Sequence, residues 1–237
     1  MDGYRIEIND RIVLTDNLGA SGNGEQNGEV QAILASVGDS GVTAARFFVN
    51  GVDTLTQGAD IVGSYRVPVQ RFGNVRLSAA FNDNQTRITH YVENPVLESE
   101  VPGLVVFGRA ESELLTRGQP RSKLNLSAEW SREHWGATLR TNHYGRVLSP
   151  GSNPADDLVI QPAWVTDVEL RFARAGWRLA LGAQNVLDQY PTSEPTGARP
   201  GSPGGYYNVI NYFIPFSVLS PFGFSGRFLY GRLSYQF

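Results

Sequence analysis

The side chains that could carry chemistry in this sequence are few and scattered. His143 is one of three histidines, and the chain has no cysteine. No thiolate or imidazole cluster is therefore expected for a structural zinc, an iron–sulfur cluster or a redox pair. Serines are plentiful enough to suggest a hydrolase triad around His143, but this histidine falls on the apolar parity of its predicted strand. We predict neither catalysis nor a cofactor.

Charged side chains offer two further candidates. Asp156 and Asp157 are adjacent in a predicted loop and could bind a hard cation, although a solvated turn is the favoured interpretation. Charged residues also recur on one parity of the strands, where they could guide a charged ligand or, as we favour, pair across strands to order a wet wall. These are Arg66, Arg76, Arg140, Arg171, Arg178 and Arg232 with Asp60, Glu129, Asp167 and Glu169.

An aromatic-rich segment, 191–224, is the strongest candidate for ligand contact. Its rings stand among glycines and prolines, which suits stacking on an aromatic or sugar face of a ligand. Packing among neighbouring loops is an equal alternative, and no residue identifies the ligand. The rings are Tyr206, Tyr207, Tyr212, Phe213, Phe216, Phe222 and Phe224.

Composition excludes some classes of protein. Lysine and arginine number 20 against 23 acidic residues, a net charge of -3, so no basic field is available for nucleic acid. No window approaches the ~20 apolar residues of a membrane-spanning helix. The first residues alternate in polarity and show no secretory signal.

The elements that must position these residues are strands. Strict alternation of apolar and polar residues recurs along the chain and helical periodicity does not, so an all-β fold with eight long strands is predicted. Strands of more than about ten residues suit a tilted crossing of a bilayer. The predicted strands are 4–15, 44–67, 73–92, 120–132, 135–148, 163–174, 177–189 and 226–237.

Residue parity separates an apolar face from a charged face in every predicted strand. A soluble sheet or sandwich would share this alternation. The connections favour an antiparallel transmembrane β-barrel segment instead, because tight turns alternate with long Gly/Pro/Ser-rich loops, the pattern of short periplasmic turns and long extracellular loops. The turns are 68–72, 131–134 and 175–176, and the loops are 16–43, 93–119, 149–162 and 190–225.

Aromatic residues favour the same interpretation. Rings gather on the apolar parity at the short-turn end, where a membrane barrel has an interfacial girdle. The closing strand ends in a ring preceded by alternate apolar residues, the form of the signal that outer-membrane barrels present to their assembly machinery. The predicted interface aromatics are Tyr65, Trp130, Trp135, Phe172 and Trp177, and the predicted assembly signal is Leu233, Tyr235 and Phe237.

Four stretches resemble the C-terminal barrel region of the TonB-dependent outer-membrane receptors. They are 4–12, 45–60, 184–191 and 220–228, in order along nearly the whole chain. The third resembles the family's Asn-Leu-Phe-Asp-x-Tyr-Pro stretch, with Val186 and Leu187 in place of Leu and Phe. The fourth leads into the closing strand.

The resemblance implies a large plugged barrel of about 22 strands, which takes up siderophore complexes, cobalamin or oligosaccharides with energy from TonB. Residues 1–237 are then the C-terminal part of such a barrel in the bacterial cell outer membrane, without the plug, the TonB box and the N-terminal strands. Expected partners are outer-membrane lipid, the barrel assembly machinery, TonB through the missing N-terminal part and a small-molecule ligand.

An open sheet is not viable in hydrocarbon, because its edge backbone groups would be unpaired. A fragment of a longer protein is therefore favoured. The alternative is a self-closing eight-stranded outer-membrane barrel with a structural or adhesive role, and a non-functional chain is a third outcome. A soluble lipid-binding barrel would need an apolar interior.

Overall fold

The computed structural model describes residues 1–18, 44–92, 99, 104–151, 153–193 and 216–237, and its main element is one antiparallel sheet. The eight strands of the sheet neighbour one another in chain order, which confirms the predicted all-β fold. In the chain, a small separate hairpin of two strands, β6 and β7, is inserted between the fifth and sixth strands of the sheet, which pair directly with each other. The sheet strands are β1 (Asp2–Leu14), β2 (Phe48–Pro68), β3 (Asn74–Tyr91), β4 (Ser122–Arg132), β5 (Trp135–Tyr144), β8 (Ala163–Arg174), β9 (Trp177–Gln184) and β10 (Phe228–Tyr235), and the hairpin is β6 (Val147–Ser149) and β7 (Leu158–Ile160).

Short turns and long connections alternate between the two ends of the sheet, as predicted. The β8–β9 turn consists of Ala175 and Gly176, whose φ angles are +50° and +83°. Positive φ at both positions is what a two-residue type I′ hairpin turn requires. At the β2–β3 turn Gly73 has a φ of +99°, and a Cβ there would lie 2.3 Å from the backbone oxygen of Ser131. These turns fix the registers of the hairpins.

Most strand bounds differ from the sequence prediction by one to five residues, and one helix was not predicted. β5 ends at Tyr144 rather than 148, and β9 ends at Gln184 rather than 189, because Asn185 and Asp188 adopt left-handed backbone conformations with φ of +49° and +57°. The predicted loop 93–119 contains the helix α1 (Arg109–Arg117). In the described part of the chain no helix is long and apolar enough to cross a membrane.

The sheet has an apolar face and a polar face over part of its height. On the apolar face Leu77, Ala128, Leu139 and Val168 form one cross-strand row. The side chains of this face from Phe81 to Val75 of β3, with their neighbours on adjacent strands, form the apolar belt. Large exposed apolar side chains in this number are typical of a surface that contacts lipid or a partner.

Above the belt, toward the long connections, the pattern changes. The parity of β3 that carries Phe81 continues with Asp83, Gln85 and Arg87, and β1 pairs only with the part of β2 from Asp60 upward. Arg5 and Glu7 of β1 therefore lie on the parity that is apolar below. At belt level every strand has its apolar face on this parity. β1 lies wholly above the belt, and its apolar residues Ile6 and Ile8 fall on the opposite parity.

β1 and β10 are the two edges of the sheet, and they do not pair with each other. The described strands therefore form an open sheet rather than a closed eight-stranded barrel. A compact apolar core lies at the long-connection end, where Val13, Val52 and Phe107 are buried against Val49, Ile88 and Leu115. Phe107 precedes α1 and Leu115 belongs to it, so this core fixes the helix on the sheet.

Candidate functional site

The helix α1 builds the site at the long-connection end. Its sequence is rich in strong helix formers, and Arg117 Nη1 pairs with Glu113 Oε2 at 3.1 Å, one turn apart. Asp16 Oδ2 accepts a hydrogen bond of 3.0 Å from the N–H of Gly108 at the N-cap. Tyr91 of β3 contacts Ser112 through their hydroxyls at 3.1 Å. Core packing and these polar contacts together hold the helix against β3.

Two carboxyl groups share one guanidinium beside α1. Arg46 pairs with Glu111 and donates from Nε to the backbone oxygen of Thr15 at 3.0 Å. Burial raises the pKa of Asp16 above its ordinary value, against the lowering effects of the Gly108 N–H and of Arg46. Burial likewise raises the pKa of Glu111, which Arg46 lowers and Asp16 raises. The cluster therefore ties the chain after β1 to α1 with partly desolvated carboxyls.

A cavity of about 720 Å³ lies between α1 and β3. It extends from the chain leading into β4, at Arg121, to the start of the β6–β7 hairpin, at Arg146 and Leu148. Polar side chains of β3 form its floor, and two of them are bonded to other strands of the sheet. Asn84 Nδ2 donates to Tyr4 Oη of β1 at 2.9 Å, and Thr86 contacts Thr56 of β2 at 2.9 Å. We call this space the α1 cavity.

The polar face below the α1 cavity contains some of the predicted ion pairs. Glu169 accepts a hydrogen bond of 2.8 Å from Tyr230 Oη and lies 3.6 Å from the nearest nitrogens of both Arg171 and Arg232. Asp60 accepts a hydrogen bond from Asn82, Asp167 accepts one from the N–H of Asn185, and Arg178 donates to Gln236. Among the described residues, Arg66, Arg76, Arg140 and Glu129 have no such side-chain partner.

The Asn185–Pro191 stretch has a structural role. Asn185 Nδ2 donates to the backbone oxygen of Gln189 at 2.7 Å, and the N–H of Gln189 donates back to Asn185 Oδ1 at 2.9 Å. Asp188 Oδ1 accepts the N–H of Arg227 at 2.8 Å, just before β10. These side chains close the turn after β9 and attach it to the last strand.

Of the rings in the aromatic segment, the structure describes Phe216, Phe222 and Phe224. Phe216 stacks on Tyr190 at 5.8 Å and on Phe224 at 6.1 Å between ring centroids, and Phe222 stacks on Tyr144 at 5.8 Å. For these rings the contacts are with the protein's own aromatics, which favours packing among loops. Tyr206, Tyr207, Tyr212 and Phe213 lie outside the described residues.

The predicted interface aromatics lie at the short-turn edge of the apolar face. Trp135 packs on Phe172 at 4.7 Å, and Trp177 packs on Tyr235 at 4.7 Å between ring centroids. Trp130 Nε1 donates to the backbone oxygen of Phe72 at 2.7 Å, and Tyr65 is 71% exposed. Leu233 and Phe237 are also exposed on β10 and its end. Their roles at the membrane interface and in assembly remain predictions.

The two remaining candidates, His143 for catalysis and the Asp156–Asp157 pair for a cation site, make structural contacts. His143 lies on the apolar face, 4.8 Å from the ring of Trp164. Asp157 Oδ1 accepts the N–H of Gly151 at 3.0 Å and pairs with Arg109. A carboxylate that faces a guanidinium is poorly placed to bind a cation, so the turn interpretation is favoured. The sequence patterns did not indicate four of the site residues, which are Asp16, Arg46, Arg109 and Glu111. The run of helix-forming residues at 109–117 could have predicted α1 and so pointed to this part of the chain.

Comparison with known proteins identifies the family. The family model described as TonB dependent receptor-like, beta-barrel matches residues 1–186. The chain therefore belongs to the TonB-dependent receptor barrel family, a family of receptors rather than enzymes, and its location is the bacterial outer membrane.

A solved structure shares the fold. The chain resembles the structure of "Copper transporter OprC" with a TM-score of 0.51 at 14% sequence identity, over 99% of this chain and 29% of that one. The chain thus spans less than a third of that transporter's length. No curated protein matches the chain.

Proposed function

We propose that the chain is part of the wall and extracellular mouth of a receptor that takes up a small-molecule ligand with energy delivered through TonB. The observation that carries this proposal is the α1 cavity, which lies at the long-connection end of the sheet. We propose that this end is extracellular, and we call it the extracellular end. Folded loop structure around a polar cavity suits ligand capture. Siderophore complexes, cobalamin and oligosaccharides are the candidate ligand classes.

The sheet is proposed to be one arc of a larger barrel, the C-terminal part of the receptor. β2 continues below its lowest pair with β1, Asp2 with Asp60, as far as Pro68. On that side, no described strand pairs with the β2 backbone from Ile61 to Pro68. Because unpaired backbone groups are costly in hydrocarbon, the arrangement supports further strands, and with them a plug and a TonB contact elsewhere in the protein.

Copper is not proposed as the cargo, although the structural neighbour is named for it. The chain has one methionine and no cysteine, so it offers few of the soft ligands that Cu(I) prefers. Within the described ranges no group of three or more His, Cys, Asp or Glu side chains could hold a metal ion. An organic ligand or an organic metal complex fits these residues better.

The proposal is tested by uptake in the source bacterium. Labelled ferric siderophore, cobalamin and a linear oligosaccharide are offered to the wild type, to a strain lacking the gene and to the complemented strain. Loss of uptake of one class on deletion, its return on complementation and its absence without TonB would support the proposal. Unchanged uptake of all three classes would contradict it.

The intact mass of the polypeptide in the outer-membrane fraction supplies a second readout. A mass several times the 26.0 kDa of this chain supports the receptor arc. A mass near 26.0 kDa would instead support the self-closing barrel with a structural or adhesive role.

A further inference from the structure

The α1 cavity is lined by a surplus of positive charge. The cavity is lined by five arginines, which are Arg109 and Arg117 of α1, Arg87 of β3, Arg121 in the chain before β4 and Arg146 in the chain before β6. Of the described lining residues, Glu113 alone is acidic. A concave, partly enclosed surface of one sign concentrates ligands of the opposite sign.

Three of the five guanidiniums are already paired. Arg117 pairs with Glu113, Arg121 lies 3.4 Å from Asp83, and Arg109 pairs with Asp157. The side chain of Arg146 is exposed and makes no ion pair or hydrogen bond with any residue that the structure describes. Arg87 likewise has no ion pair or hydrogen bond with a described residue, so the cavity keeps two uncompensated cations, of which Arg146 lies beside the hairpin that also carries Leu148.

Arg109 has spare hydrogen-bonding capacity as well. Its Nη2 faces Asp157, whereas its Nη1 is buried and has no hydrogen-bond partner. A buried, unbonded N–H of a charged group is unfavourable, and a rotation of the partly exposed Arg109 side chain that turns Nη1 toward an acceptor in the cavity would relieve it. Carboxylate and phosphate oxygens are the acceptors that match a guanidinium best.

We propose that the α1 cavity binds an organic ligand through its oxyanion groups, carboxylate or phosphate. One oxyanion accepts a hydrogen bond from Arg109 Nη1, and Arg146 supplies the charge that balances a second. Ile88 and Leu148 give the cavity an apolar portion for the carbon skeleton, and its volume is that of a small-molecule site. This proposal rests on the proposed function and adds the charge class of the ligand.

The test is calorimetric titration of the full-length protein, purified from the outer membrane in detergent. Citrate is the carboxylate probe, inorganic pyrophosphate is the phosphate probe and sucrose is the neutral control. We expect one of the two anions to bind, more weakly at higher salt, and the tighter of the two identifies the oxyanion. Absence of binding by both anions would overturn the proposal.

Variants locate the bound anion. Arg109→Gln and Arg146→Gln should each weaken binding about tenfold, since each removes one charge-assisted contact. Arg146→Lys should retain most of the affinity. The matched control is Arg132→Gln at the opposite end of the sheet, where Arg132 lies 3.8 Å from Glu133, and it should change nothing. Equal binding by all of these variants would place the anion elsewhere and overturn the proposal.

Asp157→Asn provides a test of opposite sign. The amide oxygen can still accept the N–H of Gly151, but the competing carboxylate is removed from Arg109, so affinity should rise several-fold. Unchanged affinity would contradict the role of Arg109. If the wild type takes up a ligand but binds neither anion, the anion-binding proposal fails and the proposed function stands. If the protein binds an anion but no uptake depends on TonB, the proposed function fails and the anion site stands.

Discussion

The sheet is stabilised differently at its two ends, although the same strands run through both. At belt level Leu139 and Leu181 are 47% and 54% exposed on the apolar face, and the polar face is the one that carries Glu169 and its partners. At the extracellular end Val52 of β2 is fully buried beneath α1. β2 and β3 therefore present apolar side chains outward at belt level, where we propose that lipid surrounds the sheet, and inward at the long-connection end.

This difference means that a given substitution should have opposite costs in the two regions. If lipid covers the apolar belt, as we propose, the substitutions that destabilise this region most are those that introduce a charge. Apolar surface at the extracellular end is satisfied by protein, so its main vulnerability is to lost volume. The substitutions below test this contrast in the full-length protein.

The largest effect is expected from charge on the apolar belt. Leu126→Arg places a guanidinium on the lipid-facing parity of β4 and should destabilise the folded protein in vesicles by about 2–4 kcal/mol. The control is Asn125→Arg, one residue away on the polar face, where water is available. Urea unfolding from lipid vesicles measures both. Equal destabilisation by the two variants would show that the two faces of β4 do not differ in solvent.

Removing buried side-chain volume at the extracellular end is expected to cost less folding free energy, and the destabilisation should be confined to α1 and the core beneath it. Val52→Ala removes two buried methyl groups from the core beneath α1, at about 2 kcal/mol including the cavity term. Amide hydrogen exchange across 109–117 should accelerate while exchange in β8 stays unchanged. Val62→Ala in the same strand is the control, because Val62 is 74% exposed. If both variants accelerate exchange in α1, the core beneath the helix is not its anchor.

The sequence predicted the belt far better than the extracellular end. Period-two alternation and the turn residues define the eight strands, because at belt level each face of the sheet keeps the same surroundings along the strand. In β1, Ile6 and Ile8 alternate with Arg5 and Glu7 in the same way, but alternation does not say which set faces the lumen. The orientation of these side chains depends on how far β1 lies from the apolar belt, and this position follows only from the pairing of Asp2 with Asp60.

The candidate site was harder to predict for a related reason. Residues 109–117 carry helix formers, but the flanking glycines and the surrounding loop composition obscured them, and the site depends on contacts distant in sequence. Arg109 meets Asp157, and Asp16 caps a helix that begins more than ninety residues later in the chain. No local pattern reports such pairs.

A smaller effect is expected on the polar face at belt level, where the cost of a substitution depends on side-chain packing rather than on the surrounding solvent. Tyr230 lies across Gly182 on the neighbouring strand, and a Cβ at residue 182 would fall 2.4 Å from the Tyr230 ring. Gly182→Ala should displace the ring, weaken its hydrogen bond to Glu169 and cost about 1–2 kcal/mol in urea unfolding. Gly63→Ala, which meets no atom within 4 Å, is the control and should be neutral. A neutral Gly182→Ala would mean that the ring shifts freely.

The smallest effect is a pH dependence confined to the extracellular end. Folding raises the pKa values of Asp16 and Glu111 through burial. A raised carboxyl pKa means that the docked state binds protons more tightly than the undocked chain, so docking of α1 is favoured at low pH and weakens as pH rises through the raised pKa values. Exchange protection across 109–117, corrected for the intrinsic rate, should therefore be higher near pH 4 than near pH 7. Glu111→Gln should flatten this dependence, whereas Glu113→Gln, on the same helix, should leave it unchanged. If the ion pair with Arg46 dominates instead, protection will fall in acid, and burial of these carboxyls is then not the controlling cost.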